Sequence, residues 1–180
     1  MIAGPSPADV PLPNPSYTSY MERGFVASAS IVINAPVDVV WNAFVDPTVI
    51  RRYMFGAYVL SAWKKGGPIV WKGEWQGTPY EDKGVILALE PGRLLQYSHY
   101  SPLSGLPDAP EHYHQVTVEL SARDNRTVVS LVQDNNRTEE ERAHSETNWA
   151  LMLTTLKTLL EQEDYADTTP PSPRGHVQNQ

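Results

Sequence analysis

One apolar stripe near the C-terminus constrains this fold more than any other feature. Large apolar side chains recur there three or four residues apart, at Trp149, Met152, Leu153, Leu156, Leu159 and Leu160. That spacing places all of them on one face of an α-helix. Thr138 and Glu141 have the spacing of a capping box, which marks a helix start. The sequence therefore predicts one long amphipathic helix that must bury its stripe against the rest of the chain.

The remaining surface of this helix is acidic. From Glu139 to Asp164 there are seven acidic and two basic residues, which make up most of the net charge of −7. We interpret these charges as a solvent-exposed face. Proteins that bind nucleic acid or anionic lipid usually carry a basic cluster, which this chain lacks. We therefore expect no nucleic-acid partner.

The segment before this helix opens with a strand and two short helices. Residues Phe25 to Asn34 alternate in the manner of a β-strand. Pro36 can begin a helix, since the first helical position needs no N–H donor, and apolar residues follow at helical spacing up to Val45. Asp46-Pro47 ends that helix and can begin a second short helix through Tyr53.

Strand-like runs fill the rest of the chain. They cover residues 57–63, 69–76, 80–90, 93–100, 112–122 and 126–134, separated by short turns rich in Gly, Pro, Asp and Asn. Such short connections favour antiparallel pairing. A single helix cannot cover both faces of a seven-stranded sheet, but a twisted sheet can curl around it. The sequence thus predicts an α+β fold, in which a curved antiparallel sheet of about seven strands wraps a long C-terminal helix and leaves a cavity between them.

Proline content sets the expected domain boundaries. Residues 1–24 contain five prolines and residues 165–180 contain three, in segments without apolar periodicity. We predict a mobile proline-rich arm over 1–24, a folded domain over 25–164 and a disordered tail over 165–180.

Several classes of site are absent from the sequence. There is no cysteine, which excludes disulfides and thiolate sites and fits a reducing, cytoplasmic location. No apolar run is long enough for a membrane span, and no signal peptide is visible. There is no nucleophile elbow, phosphate loop or HExxH motif. We therefore predict no cofactor, and the sequence assigns no catalytic residue.

Four segments in order resemble a known superfamily. They read INAPVDVVWNAFVDP (Ile33–Pro47), KGVILALEPGRLLQYSH (Lys83–His99), TVVSLVQDNN (127–136) and WALMLTTLKTLLEQ (Trp149–Gln162). Together they are similar to the START-like, helix-grip superfamily known as SRPBCC, in the branch named after the activator homologue of a heat-shock-protein ATPase. The resemblance implies a helix-grip fold. It leaves function open, because members include lipid carriers, hormone receptors, polyketide cyclases, ring-hydroxylating oxygenase subunits and co-chaperones. Two positions depart from what relatives often show, with His99 in place of Trp and Gln133 in place of His.

Strand alternation predicts which side chains face the cavity. Turning the apolar positions of the later strands inward brings Tyr97, His99, His114 and Gln133 to one concave surface. An apolar cavity with a few converging polar groups is typical of a ligand site. The predicted ligand-binding residues are Trp71, Trp75, Tyr97, His99, His114, Gln133, Trp149 and Met152. The alternative is that these side chains are ordinary core residues.

A metal site is the weakest hypothesis. His112 and His114 would share one face of a strand, as metal ligands need, with His99 as a possible third ligand. No carboxylate is evidently placed beside them, so we predict no tightly bound metal.

The sequence leaves three functions open. The leading hypothesis is binding of a small, largely hydrophobic ligand in the cavity. The second is a polyketide cyclase-like or other enzyme that uses Tyr97 with His99 or His114 as an acid–base pair. The third, which only the resemblance implies, is a co-chaperone-like interaction with a protein partner. Oligomeric state is not encoded in any pattern we can identify.

Overall fold

The computed structural model describes residues 24–162, and most of the predicted arm and the whole predicted tail lie outside this range. The strands are β1 Phe25–Ile33, β2 Tyr58–Ser61, β3 Pro68–Trp75, β4 Thr78–Glu90, β5 Leu94–His99, β6 His114–Arg123 and β7 Arg126–Asn136. The helices are α1 Val37–Val45, α2 Pro47–Tyr53 and α3 Glu139–Leu160. No helix in the described range is long and apolar enough to cross a membrane.

The strands form one antiparallel sheet in the order β1-β7-β6-β5-β4-β3-β2. The sheet curves around α3, so the predicted α+β helix-grip fold is confirmed. Every chain neighbour from β2 to β7 is also a neighbour in the sheet, as the short turns predicted. β1 instead joins the far side of the sheet by pairing with β7.

Two of the three α-helices within residues 24–162 begin with a side-chain cap. The Asp46 carboxylate accepts a hydrogen bond from the Thr48 backbone N–H at 2.8 Å, with Pro47 at the first helical position. At α3, the Thr138 hydroxyl oxygen accepts from the Glu141 N–H at 3.1 Å. The Glu141 carboxylate in turn accepts from the backbone N–H of Arg137 at 2.8 Å. These bonds satisfy N–H groups that have no partner within their own helices.

The apolar stripe of α3 forms one wall of the core. Its buried members are Met152, Leu153, Leu156, Leu159 and Leu160. They pack against inward-facing residues of the sheet and of α1 and α2. Each fully buried Leu contributes roughly 1.5–3 kcal/mol relative to an exposed one, so this stripe is a main source of the stability of the fold.

The charged face of α3 is only partly solvated, which corrects the sequence interpretation. β1 is an edge strand. Three side chains, two from α3 and one from its C-terminal cap residue, form hydrogen bonds with backbone groups of β1 or of the residue just after it. The bonds join Ser28 N to Glu146 (3.2 Å), Asn34 N to Glu161 (2.7 Å) and Lys157 Nζ to Val32 O (2.8 Å). Covering an edge in this way protects it from pairing with another chain.

The predicted start of the sixth strand is wrong by two residues. His112 ends a short 3₁₀ turn, Pro110–His112, and its Nδ1 lies 2.8 Å from the Pro107 carbonyl oxygen. β6 begins at His114. The two histidines therefore do not share a strand face, because the chain turns between them.

Candidate functional site

The curvature of the sheet leaves a cavity beside the N-terminal half of α3. We call one pocket within it, of about 130 Å³, the inner chamber. Its lining is mainly aromatic and apolar, and comprises Met54, Phe55, Ala57, Trp71, Tyr80, Asp82, Tyr97, His99, Val116, Gln133 and Trp149. This lining comes from strands of the sheet, from α3 and from the loop that follows α2.

The strand register explains why these side chains meet. Trp71 of β3 lies opposite Asp82 of β4. Farther across the sheet, Tyr97 of β5 pairs with Val116 of β6, and Val116 pairs with Gln133 of β7. Directly opposed residues point to the same face. The inner chamber is thus a row of adjacent positions across the sheet, closed by Trp149 from α3.

A wider pocket adjoins the inner chamber. This outer chamber has a volume of about 340 Å³ and shares Met54, Phe55, Asp82, Gln133 and Trp149 with the inner one. Its rim carries three large apolar side chains that are more than half exposed: Phe55 (63%), Trp75 (54%) and Leu151 (52%). Exposed apolar groups clustered around an opening are typical of a binding site.

Asp82 is the site residue that the sequence did not identify. Its Oδ2 lies 3.0 Å from Nε2 of His99, and its side chain is only 13% exposed. Its Oδ1 is buried without a hydrogen-bond partner in the described part of the chain. Ile86 is buried on the inner face of β4, and counting back in steps of two reaches Asp82 and Tyr80. This alternation in the sequence could have identified Asp82 as an inward-facing residue.

The bond to Asp82 fixes the state of His99. A carboxylate oxygen accepts, so Nε2 of His99 must carry a proton, and Nδ1 becomes an acceptor when the ring is neutral. The ring also packs edge-on against Trp71, with ring centroids 5.1 Å apart. His99 is therefore held between a carboxylate and an aromatic wall.

Two tyrosines add hydroxyl groups to the inner chamber. Tyr97 is buried in the lining of the chamber. Burial raises the pKa of Tyr97 far above its usual value, so the phenol stays protonated and can donate. Burial, and secondarily the charge of Asp82, also raise the pKa of Tyr80. Tyr80 lies over Gly73, where a side chain would take its place.

Gln133 is already satisfied by its neighbours. Its Oε1 accepts from Nε1 of Trp149 at 2.8 Å, and its Nε2 donates to Asn136 at 3.0 Å and to Ser145 at 3.1 Å. These bonds tie β7 to α3 at the back of the chamber. Gln133 thus orients Trp149, whose side chain forms part of the chamber wall.

His114 faces a neighbouring polar pocket of about 200 Å³. Its Nδ1 lies 2.8 Å from the carbonyl oxygen of Asp134, to which it donates. Burial lowers the pKa of His114, which favours the neutral ring. His99 lines this pocket as well as the inner chamber, and the rings of His99 and His114 stack with centroids 6.4 Å apart.

The predicted ligand-binding residues thus divide into three groups. Trp71, Tyr97, His99, Gln133 and Trp149 line the inner chamber, and Gln133 and Trp149 also line the outer one. Trp75 and Met152 line only the outer chamber of the two. His114 lines the polar pocket. Among the described residues, no three His, Asp or Glu side chains are placed to hold a metal ion.

Comparison with known proteins gives one family match and several similar structures. The family model described as "Activator of Hsp90 ATPase homolog 1-like protein" matches residues 34–161. The solution structure of the protein ChR145 from Cytophaga hutchinsonii is 55% identical, with a TM-score of 0.70. That match covers 78% of this chain and 97% of ChR145. No curated protein matches the chain.

More distant structures share the fold. CalU16 from Micromonospora echinospora is 24% identical with a TM-score of 0.61, and the match covers 78% of this chain and 79% of CalU16. The Aha1 dimer from Colwellia psychrerythraea is 21% identical with a TM-score of 0.61, covering 77% of this chain and 97% of the other. At these identities the likeness shows the fold alone.

Proposed function

Because this chain belongs to the family of activator of Hsp90 ATPase homolog 1-like proteins, within the SRPBCC superfamily, we propose that it binds a small, largely hydrophobic molecule between its sheet and its C-terminal helix. The observation that carries this proposal is the inner chamber, which is lined by Trp71, Tyr97 and Trp149 and shares five lining residues with the outer chamber and its apolar rim. Aromatic walls supply affinity through the apolar area that a ligand buries.

The size of the site supports a ligand rather than trapped water alone. Small-molecule pockets usually measure about 300–1,000 Å³, and the outer chamber alone falls within that range at about 340 Å³. The inner chamber would hold a group the size of one aromatic ring, since an apolar cavity of about 150 Å³ accommodates benzene. We therefore propose a ligand whose apolar body places one ring in the inner chamber and extends past Phe55 into the outer chamber.

The test blocks the inner chamber without changing a polar group. Ala57 is buried and lines the chamber, so Ala57→Leu should fill much of it. We expect naphthalenemethanol to bind the wild-type chain in calorimetric titration, and Ala57→Leu to weaken binding by at least about tenfold, a loss of roughly 1.4 kcal/mol. Ala122→Leu is the matched control, because Ala122 is exposed near the end of β6, away from the chamber.

Two results would contradict the proposal. In the first, neither naphthalenemethanol nor a charged compound with the same naphthyl body would bind the wild-type chain. Alternatively, Ala57→Leu and Ala122→Leu would weaken binding equally, which would place the bound molecule elsewhere on the surface.

A second candidate function is acid–base catalysis in the same chamber, and the Asp82–His99 pair favours it. A carboxylate that orients an imidazole is the usual arrangement of a general base. Tyr97 would donate a hydrogen bond to negative charge that develops on the substrate, since its raised pKa keeps the phenol protonated. Recovery of the bound compound distinguishes the two functions: an unchanged compound supports binding, whereas conversion that is lost in His99→Gln supports an enzyme.

A co-chaperone-like role is the third candidate. It rests on the family description alone, and no contact among the described residues favours it. A cytoplasmic location likewise remains a prediction from the sequence.

A further inference from the structure

The chamber lining has an uneven distribution of charge. Among the described side chains that line the inner and outer chambers, the acidic and basic groups are the carboxylate of Asp82 and the imidazole of His99. No lysine or arginine from residues 24–162 belongs to either lining. When His99 is neutral, the Asp82–His99 pair therefore carries a net charge of −1 inside a largely apolar space.

The charge of Asp82 is incompletely compensated. Its hydrogen bond from His99 uses Oδ2, and Oδ1 is buried without a partner within residues 24–162. A buried carboxylate costs free energy unless it is paired with a cation or fully hydrogen-bonded. An added positive charge in the chamber would thus be attracted more strongly than at the protein surface, because the local dielectric constant is lower.

Aromatic residues line the same chamber as this carboxylate. Trp71 lies directly opposite Asp82 across the β3–β4 pair, and the rings of Trp71 and Tyr97 are 5.1 Å apart. Trp149 and Phe55 line the same chamber. The face of an aromatic ring attracts a cation, and groups of such rings are the known way of binding substituted ammonium ions. Here the rings and the carboxylate favour the same kind of ligand.

We propose that the chamber selects an organic cation, namely an aryl- or alkylammonium compound whose apolar body fills the inner chamber while its ammonium group lies beside Asp82. This inference rests on the proposed ligand-binding function and specifies the ligand class. Asp82 determines the specificity, and Trp71 and Tyr97 stabilise the cation through their ring faces.

The experiment compares three probes that share one apolar body: naphthylmethylammonium, neutral naphthalenemethanol and anionic naphthoate. Calorimetric titration of the full chain at neutral pH should show the ammonium binding about tenfold more tightly than the alcohol, with naphthoate weakest. Asp82→Asn keeps the size of the side chain and an acceptor for His99 but removes the charge. In this variant the preference for ammonium should fall to within about twofold, as expected when the charge–charge attraction is removed.

Glu81→Gln is the matched control. Glu81 is the neighbouring residue on the same strand, but it lies on the opposite face, is exposed and pairs with Lys72 at 3.0 Å. It makes the same change in net charge outside the chamber. We expect the wild-type preference to persist in this variant.

The outcomes separate the two proposals. If none of the probes binds, the proposed function fails. If all three bind in a manner sensitive to Ala57→Leu but the ammonium is no tighter than the alcohol, ligand binding stands and the cation proposal is overturned. Equal loss of the preference in Asp82→Asn and Glu81→Gln would also overturn the cation proposal. If Asp82→Asn fails to fold, the order of affinity of the three probes for the wild-type chain still tests the cation proposal.

Discussion

Gly84 lies where the backbones of β4 and β5 approach each other too closely for any side chain. A Cβ atom at this position would stand 1.6 Å from the Ser98 carbonyl oxygen. Because the obstacle is backbone, relief requires the two strands to move apart. We expect Gly84→Ala to lower the free energy of unfolding by about 3 kcal/mol or more, in the range of severe substitutions, as measured by urea denaturation.

Gly73 provides the contrast for this prediction. The three atoms nearest to a Cβ there all belong to the tip of the Tyr80 side chain, which can rotate away. Gly73→Ala should therefore cost roughly 1 kcal/mol, as for mild overpacking. Equal losses for the two variants would show that the closeness of β4 and β5 at Gly84 is unimportant for stability.

Asp82 illustrates what sequence reasoning missed at the scale of single residues. It lies in the polar run Tyr80-Glu81-Asp82-Lys83 next to a hairpin turn, and such a run normally indicates exposure. Its pairing with Trp71 places it inward instead. By contrast, Tyr97 and His99 were predictable because they alternate with Leu95 on a plainly apolar strand face.

At the scale of elements, the sequence predicted every strand and α-helix in the described range, because each has a clear period of its own. Irregularities between neighbouring strands were less accessible. The β4–β5 register shifts between Ile86 and Ala88. Ile86 and Leu89 consequently both pack on the core, although strict alternation would place them on opposite faces. A single strand read alone does not show a bulge, which depends on its partner.

The contacts that charged side chains of α3 make with β1 could not be predicted from the sequence either. Glu146, Lys157 and Glu161 look like solvated helix residues at helical spacing. They reach β1 because β1 happens to be the edge beside the helix. Such contacts depend on strand order, which local patterns do not determine.

The stripe of α3 gives a direct test of how the helix packs. Leu156 is completely buried in the middle of the stripe. We expect Leu156→Ala to lower the free energy of unfolding by about 2–5 kcal/mol, the usual cost of a large-to-small core substitution with its residual cavity. Thermal and urea denaturation both measure it.

Leu151, on the same helix, is the control for this test. It is 52% exposed, so truncation to Ala should remove few contacts. We expect a loss of under about 1 kcal/mol from Leu151→Ala, in line with substitutions outside the core. A loss for Leu156→Ala as small as that would mean that the stripe does not pack tightly against the sheet.

At the scale of the whole molecule, the domain boundaries are the remaining prediction. The alignment with ChR145 uses 78% of this chain but 97% of that relative. A 55% identical protein therefore folds with little beyond the matched region. All the buried core residues that we describe lie between Ala27 and Leu160. Both facts favour a domain that needs neither end of the chain.

We therefore expect a chain that lacks residues 1–20 and 166–180 to melt within a few degrees of the full chain. For a domain of this size, each 1 kcal/mol of lost stability shifts Tm by roughly 2–8 °C, so calorimetry can detect even a modest contribution. Deleting the two segments separately would assign any larger drop in Tm to one of them.

The N-terminal deletion has a second readout, the affinity for ligand. Gly24 lies against Asn136, which lines the polar pocket beside the inner chamber. If that deletion left Tm unchanged but altered the affinity for naphthylmethylammonium, residues 1–20 would belong to the binding site and not to the folded core. If it altered neither, residues 1–20 would be dispensable for both folding and binding.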